Sequence, residues 1–253
     1  MVKPVPPYER VIEQPHRPRS RLCLMLVLLL VAGVGAAATQ GASRAGHTGV
    51  MTSVCAPGLV PAVINGKHRC LRVGQRCARR FDHQYHRYGF HCHTGRLRVD
   101  WIVLERRPLH LPRIAPGAVC PRSSGSEVLP YFPTAYGDGP VYAALLPGSD
   151  GIVHYGNGPQ QGGWYYANFM YAVDPTHLQP TLLRGRQIDG SNEMRFGRGE
   201  KPSRALRIAS WRIFPKPHWG WSPAYDRLRA PGCYAIQADG KTFSTVIVFQ
   251  AAP

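Results

Sequence analysis

The alternation of apolar and polar positions is clearest near the C-terminus. Two runs rich in β-branched and aromatic residues, Cys233–Ala238 and Thr242–Phe249, are separated by Asp239-Gly240. Because an Asp-Gly pair accepts the positive φ angles of a tight turn, we expect the runs to form adjacent antiparallel strands. Alternate residues of a strand point to opposite faces, and both faces of the second run are largely apolar. This hairpin is therefore predicted to be covered on both sides.

Short apolar runs punctuated by Gly, Pro, Asp and Asn fill the rest of the C-terminal half. Their spacing is typical of a β-sandwich. The additional predicted strands are Val141–Leu146, Ile152–Tyr155, Trp164–Val173, Thr181–Arg184, Met194–Gly197 and Ala205–Phe214.

A smaller unit precedes this half, from residue 52 to residue 104. The segments Pro61–Ile64 and Lys67–Leu71 flank an Asn-Gly pair, which predicts a hairpin. Residues Ala78–Tyr88 place aromatic rings at helical spacing and are followed by Gly89, which predicts a helix of about three turns with a glycine C-cap. Phe90–His93 and Arg96–Leu104 then predict a second hairpin.

The N-terminal 38 residues have the pattern of an export signal. Five Lys or Arg residues against two Glu precede the uncharged run Leu22–Ala38, which ends in three alanines. This pattern predicts a secretory signal peptide cleaved before Thr39. At 17 residues the run also approaches the length that spans a bilayer, so an uncleaved membrane anchor is an equal alternative. Both alternatives place the remainder outside the cytoplasm, joined through a short tether at residues 39–51.

Six cysteines follow the leader, and an even number in an exported chain predicts disulfides. The four in the small unit allow three connectivities. We favour Cys55–Cys70 and Cys77–Cys92, because the second bond would tie the start of the helix to the following strand. Cys120 and Cys233 bracket the C-terminal half, and a bond between them would close a loop of more than a hundred residues.

These elements predict a mainly β chain. An immunoglobulin-like antiparallel β-sandwich, residues 119–253, is preceded by a disulfide-stapled α+β module, residues 52–104, and by the hydrophobic leader helix. Residues 105–118 are rich in Pro and Arg and predict a stiff, extended linker.

The small module resembles a cysteine-containing module of exported bacterial proteins, written GKxxCLxxGxxC, then YxxYGFxC and GRL. The matching segments are Gly66–Leu71, Gly74–Cys77, Tyr85–Cys92 and Gly95–Leu97. The C-terminal half resembles an exported bacterial β-sandwich family that combines a W-x-K-x-x-W-like strand, a G-R-x-L-D-G turn and a PGCW or PGCY segment before a hairpin. Here the matches are Trp164–Tyr171, Leu183–Gly190, Arg195-Phe196 and Pro231–Tyr234, with Asn168 at the lysine position and Ile188 for leucine. Both families are uncharacterised, so the resemblance implies a compartment and an architecture and no activity.

The charge of the chain is strongly positive, +17, and unevenly distributed. Residues 50–113 carry twelve Lys or Arg against three acids, a net charge of +9, whereas residues 114–253 carry thirteen against nine, a net charge of +4. A concentrated positive charge favours an acidic partner. The candidate binding residues on the module are Arg76, Arg79, Arg80 and Arg87. The alternative is that the arginines only keep the module soluble while its rings form a core.

The aromatic segment from Trp211 to Tyr225 is the candidate ligand surface of the large domain, with Trp219 and Trp221 as its binding residues. A loop anchored by buried tryptophans is the competing interpretation.

Catalytic and metal chemistry have little support. The chain has no nucleophile elbow, no H-E-x-x-H, no P-loop and no dinucleotide motif. The cluster of His83, His86, His91, Cys92 and His93 lacks the ligand spacing of a zinc site, and export favours disulfides. Asp189-Gly190 and Asp239-Gly240 are predicted to be turn residues. We therefore expect no catalytic residue, no metal and no cofactor.

Three functions remain as hypotheses. The first is a non-catalytic binding module, secreted or anchored at the cell surface, that contacts an anionic envelope polymer or another surface protein; nucleic acid is not the expected partner. The second is an extracellular hydrolase whose site is assembled from scattered His and Asp, including His154, His177 and His218. The third is a structural envelope protein.

Overall fold

The computed structural model describes residues 55–127, 129, 134–145, 151–155, 161–215 and 217–253. The predictions for the leader, residues 1–38, and for the tether, residues 39–51, lie outside these residues. The described residues belong to one compact unit. Within them, no helix combines the length and the apolar character needed to cross a membrane.

The small module is built from two hairpins and two short helices. Its elements are β1 (Val60–Ile64), β2 (Lys67–Leu71), α1 (Asp82–His86), β3 (Phe90–His93), β4 (Arg96–Val99) and α2 (Trp101–Glu105). β1 pairs with β2 and β3 with β4, both antiparallel. Side chains from both hairpins and from α1 form its core, namely Ala62, Ile64, Leu71, Tyr85, Phe90, Cys92, Leu97 and Val99.

The helical parts of the module differ from the prediction. The expected three-turn helix over Ala78–Tyr88 is a 3-10 turn, Arg79–Phe81, followed by α1. Gly89 follows it with a φ of +79°, as a helix-terminating glycine requires. The predicted strand Arg96–Leu104 ends at Val99, and its second half is α2. Leu104 is buried and Trp101 half-buried, at the i, i+3 spacing that puts two side chains on one helix face.

Three disulfides fasten the chain. They join Cys55 to Cys70, Cys77 to Cys92 and Cys120 to Cys233. These are the pairs that the sequence analysis favoured.

The C-terminal part is a sandwich of two sheets. A five-stranded sheet has the order β12-β10-β15-β16-β8, and a seven-stranded sheet has the order β11-β14-β9-β7-β6-β5 with β13 also paired to β14. The strands are β5 (Gly125–Ser126), β6 (Ala135–Tyr136), β7 (Val141–Leu145), β8 (Ile152–His154), β9 (Tyr165–Val173), β10 (Thr181–Gln187), β11 (Arg195–Phe196), β12 (Leu206–Ile208), β13 (Arg212–Ile213), β14 (Gly220–Leu228), β15 (Gly232–Asp239) and β16 (Ser244–Ala252). All pairs are antiparallel except β8 with β16. The prediction of a mainly β chain with a C-terminal sandwich is confirmed.

Aromatic side chains join the two sheets. The ring of Phe169 on β9 lies edge-to-face against Phe249 on β16, with 5.0 Å between centroids, and Tyr234 on β15 stacks on Phe249 at 5.8 Å. Such pairs contribute about 0.5–1.5 kcal/mol beyond the area they bury. They place the hairpin β15–β16 at the centre of the core.

The hairpin is covered on both faces, as its apolar pattern predicts. Tyr234, Ile236 and Ala238 face the sandwich interior and are fully buried. On the outer face, Cys233 and Ala235 are also buried, against Leu111 and Ile114 among others.

The cover on the outer face is the connecting segment, residues 105–118, which the sequence predicts as a linker. The His110 N–H donates to Gln237 Oε1 at 2.7 Å, and Gln237 Nε2 donates to the Pro108 carbonyl at 3.1 Å. The Arg107 guanidinium donates to the carbonyl oxygens of Gly240, Lys241 and Phe243 in the turn of the hairpin. These contacts fix the segment on the five-stranded sheet.

Two stretches of the sandwich were assigned wrongly from the sequence. Ala205–Phe214 is not one strand, because β12 joins the five-stranded sheet and β13 the seven-stranded sheet. The segment Trp211–Tyr225 is not one loop, because β14 begins at Gly220 and pairs along its whole length with β9. On the edge of β14 that faces away from β9, β13 pairs at Trp221 and β11 pairs at Asp226. Pro223 lies between these two positions and has no paired residue on that edge, so a residue without a backbone N–H is tolerated there.

Asp239 is not a turn residue. It ends β15 with 0% exposure, and the turn is formed by Gly240–Phe243, where the Gly240 N–H donates to the Phe243 carbonyl. Its carboxylate accepts from Arg184 Nη2 at 2.7 Å, so it is the buried half of an ion pair.

Candidate anion-binding site

The loop between β2 and α1 is held in the module like an additional strand. Gly74 and Cys77 donate their N–H groups to the carbonyls of Leu97 and Gly95, and the Leu97 N–H donates to the Gln75 carbonyl. The Cys77–Cys92 disulfide fixes the end of this loop to β3. Arg76, in the middle of the loop, therefore has a defined backbone position.

The first hairpin is tied to α1 and to the turn that follows it by side-chain hydrogen bonds. The Asn65 N–H donates to Gln84 Oε1 at 2.7 Å, and the Val63 N–H donates to the Tyr88 hydroxyl at 2.9 Å. These bonds fix the tip of the hairpin relative to the helix.

A cleft of about 430 Å³ lies between this hairpin, the loop and the 3-10 turn. No acidic side chain is among its described lining residues, whereas four cations are: Lys67, Arg69, Arg76 and Arg80. Phe81 and Tyr85 supply rings, and Arg80 lies over the Phe81 ring at 4.9 Å from its centroid. The volume is that of a small-ligand site, and its chemistry suits an anion.

The acids of the module are engaged elsewhere. Asp100 Oδ2 lies 2.6 Å from His86 Nδ1, and Asp82 accepts the Cys92 N–H. Glu105 pairs with Arg207 of the sandwich. Within the described part of the chain, none of the four cleft cations has a carboxylate partner. The positive potential of the cleft is therefore not neutralised from inside the protein.

Two of the four arginines predicted to bind line this cleft, namely Arg76 and Arg80. Arg79 lines a separate cavity with Asp82 and His91 among its other residues. Arg87 is the exposed C-cap residue of α1 and is not among the residues of the cleft.

Lys67 and Arg69 were missed, although the sequence carries a signal for them. Residues two apart in a strand share a face, so these cations lie on the same face of β2 as the buried Leu71. Two cations at positions that continue the apolar face of a strand therefore indicate that this face meets solvent beyond the core.

The predicted aromatic pair on the sandwich is divided between core and surface. Trp219 is only 9% exposed and packs with Met170 and Ala172, which agrees with the alternative that buried tryptophans anchor this segment. Trp221 on β14 is half-buried, and the Arg212 guanidinium lies 5.0 Å from the centre of its ring.

His154 and His177, two of the three scattered histidines, lie far apart. His154 pairs in register with Ala252 at the end of β16, whereas the His177 ring packs on Phe243 just before β16 begins. At about 3.3 Å per residue this strand separates the two contacts by roughly 30 Å. His218 lies in the turn between β13 and β14. Across the described residues, no group of three or more His, Cys, Asp or Glu is arranged to hold a metal ion.

Comparison of the chain with known protein families, curated proteins and solved structures finds no match.

Proposed function

We propose that this protein is a non-catalytic, exported binding protein whose small module holds an anionic polymer of the cell envelope. The observation that carries the proposal is the cleft whose lining, over the residues that the structure describes, has four cations and no acid. Lys67, Arg69, Arg76 and Arg80 come from three separate backbone segments, so several anionic groups of one chain can be contacted together.

The rigidity of the module supports binding over mere solubility. Two disulfides and the hydrogen bonds of the loop hold the backbone of the cleft in place before a ligand arrives. A site that is ordered in advance loses less conformational entropy on binding. Arginines that only kept the module soluble would need no such arrangement.

The compartment is part of the proposal. Three disulfides are compatible with an oxidising space outside the cytoplasm. Anionic polymers are abundant at a cell surface, and a cationic cleft attracts them through long-range forces.

The hydrolase alternative receives no support from the distribution of His154 and His177 at opposite ends of β16. A purely structural role remains the competing hypothesis, and it predicts no dependence of binding on the cleft.

The test is equilibrium binding of the full-length chain to a fluorescent poly(glycerol phosphate). The variant Lys67→Gln/Arg69→Gln removes two cleft cations that are exposed, so the fold should tolerate it. We expect its affinity to fall by about tenfold or more, since hydrogen bonds to charged groups are worth about 1.5–3 kcal/mol.

The matched control is Arg87→Gln/Arg106→Gln, which removes the same charge from exposed positions outside the cleft. It should weaken binding far less. Equal losses in both variants would mean that only the net charge matters, and the cleft would then have no specific role.

A further inference from the structure

A second cationic cleft lies on the sandwich, where the chain turns back after β10. The Gln187 N–H donates to the Asn192 carbonyl, and Arg186 forms an isolated bridge with Glu193, so the return segment runs beside the end of β10. A cavity of about 400 Å³ is lined by β10, by this return segment, by Arg204 and by Leu109 of the connecting segment.

Four arginines line this cavity: Arg184, Arg186, Arg195 and Arg204. Arg195 pairs with Glu193, and Arg184 pairs with Asp239. Arg186 Nε donates to the Gln187 carbonyl at 3.3 Å, and its two terminal nitrogens make no hydrogen bond to another described residue. Neither Arg186 nor Arg204 has a carboxylate partner in the described part of the chain.

Arg184, in the wall of the cavity, is held by its other contacts. Its Nη1 donates to the carbonyls of Glu105 and Arg107, and its Nη2 donates to Asp239. These bonds fix the guanidinium group before a ligand arrives, so it loses little conformational entropy on binding.

The charge of the walls indicates the class of ligand. Four arginines against Glu193 and Asp239 leave a net charge of +2. A phosphate monoester carries a charge of about −1.5 to −2 at neutral pH and presents three strong acceptor oxygens. Guanidinium groups match these oxygens with paired N–H donors.

We propose that this cleft binds a phosphate monoester, at a site separate from the cleft of the module. Arg186 and Arg204 contact the phosphoryl oxygens directly, and Arg184 forms the fixed wall against which the group rests. The site does not depend on the proposed binding of a polymer.

The experiment is an NMR titration of the isotope-labelled full-length chain with glycerol 3-phosphate. The amide shifts of Ser191 and Asn192 report on this cavity, whereas those of Gln75 and Arg76 report on the module. We expect saturable shifts at Ser191 and Asn192, weakened by about tenfold or more in Arg186→Gln/Arg204→Gln through loss of charge-assisted hydrogen bonds. The variant Arg186→Lys/Arg204→Lys should bind with intermediate affinity, because it keeps the charge and loses the paired donors.

Two controls separate this proposal from the proposed function. Arg76→Gln/Arg80→Gln alters only the module and should leave the shifts of Ser191 and Asn192 unchanged. Galacturonate, which has a single carboxylate, should bind this cavity about tenfold more weakly, since it offers one charge and two oxygens. The proposal is overturned if Arg186→Gln/Arg204→Gln binds like the wild type, if galacturonate binds equally well, or if glycerol 3-phosphate shifts only the module.

Discussion

The ion pair between Asp239 and Arg184 lies where the connecting segment meets the sandwich. The Asp239 carboxylate is fully buried and accepts from Arg184 Nη2 at 2.7 Å, Gln237 Nε2 at 2.9 Å and Ser244 Oγ at 2.8 Å. The same Arg184 donates to the carbonyls of Glu105 and Arg107. We predict that Asp239→Leu destabilises the protein strongly and loosens the connecting segment.

The magnitude follows from what the substitution leaves behind. Removing one partner of a buried pair costs about 3–5 kcal/mol, because the remaining charge is uncompensated. The Arg184 side chain is 18% exposed, so water relieves part of this cost and we expect about 3 kcal/mol. Ser244→Ala removes a single hydrogen bond from the same carboxylate and should cost only about 1 kcal/mol.

The assay is urea unfolding with the disulfides intact, followed by hydrogen exchange of the His110 amide, which reports on the connecting segment. The double variant Arg184→Leu/Asp239→Leu should be less destabilised than the sum of the two single variants, because it leaves neither charge unpaired. If Asp239→Leu lowers the free energy of unfolding by less than about 1 kcal/mol, the pair contributes no more than a solvent-exposed ion pair does, and the reasoning is refuted.

Three further predictions concern the sandwich. Burial raises the pKa of Asp226 well above its ordinary value, and Tyr171 donates to its Oδ2 at 2.6 Å. The folded state therefore retains a proton that the unfolded state releases, so stability should fall as pH rises above the unfolded pKa of about 3.9. Asp226→Asn should flatten this fall in a series of thermal melts, and a slope identical to the wild type would contradict the assignment. Burial also raises the pKa of Tyr155 to about 12, and its hydroxyl has no hydrogen-bond partner among the residues that the structure describes. Tyr155→Phe should leave the stability against urea unchanged or slightly higher, whereas a clear loss would reveal a partner for the hydroxyl. Cys120→Ala/Cys233→Ala opens a loop with a sequence separation of 113 residues, which the chain-entropy model values at about 4–5 kcal/mol as an upper figure. The midpoint of urea unfolding should drop accordingly, and an unchanged midpoint would show that packing alone holds the two segments together.

Local patterns were enough to predict the hairpins β1–β2 and β15–β16, although the turn of the second is formed by Gly240–Phe243 and does not include Asp239. Each depends on residues adjacent in the chain, whose turn chemistry and alternation are visible without knowledge of the fold. The cysteine pairs of the module were favoured on similarly local grounds, because a bond between Cys77 and Cys92 ties the start of the helical segment to the strand that follows it.

The strand β14 could not be predicted because its buried polar side chains make their contacts with distant segments of the chain. Asp226 is bonded to Tyr171 on β9, and the Arg227 guanidinium is buried over the Tyr166 ring while donating to the carbonyls of Gly197 and Gly199. Without those partners, a segment with Pro, Asp and Arg has the composition of a loop.

The two clefts were only partly predictable. The density of charge indicated Arg76 and Arg80. That Lys67 and Arg69 line the same cleft can be recognised only when the register of β1 and β2 and the path of the following loop are known. The cavity beside β10 could not be predicted, because it is formed by the return of the chain at Asn192 and by Leu109, which are separated by many residues in the sequence.

The most direct test of the central claim is the salt dependence of binding to poly(glycerol phosphate). Each cation that neutralises a phosphate contributes about one unit to the slope of the logarithm of the affinity against the logarithm of salt concentration. Lys67→Gln/Arg69→Gln/Arg76→Gln/Arg80→Gln should lower this slope by about three to four units. A slope that stays within about one unit of the wild type would contradict the account, because the four cations of the cleft would then not contact the polymer.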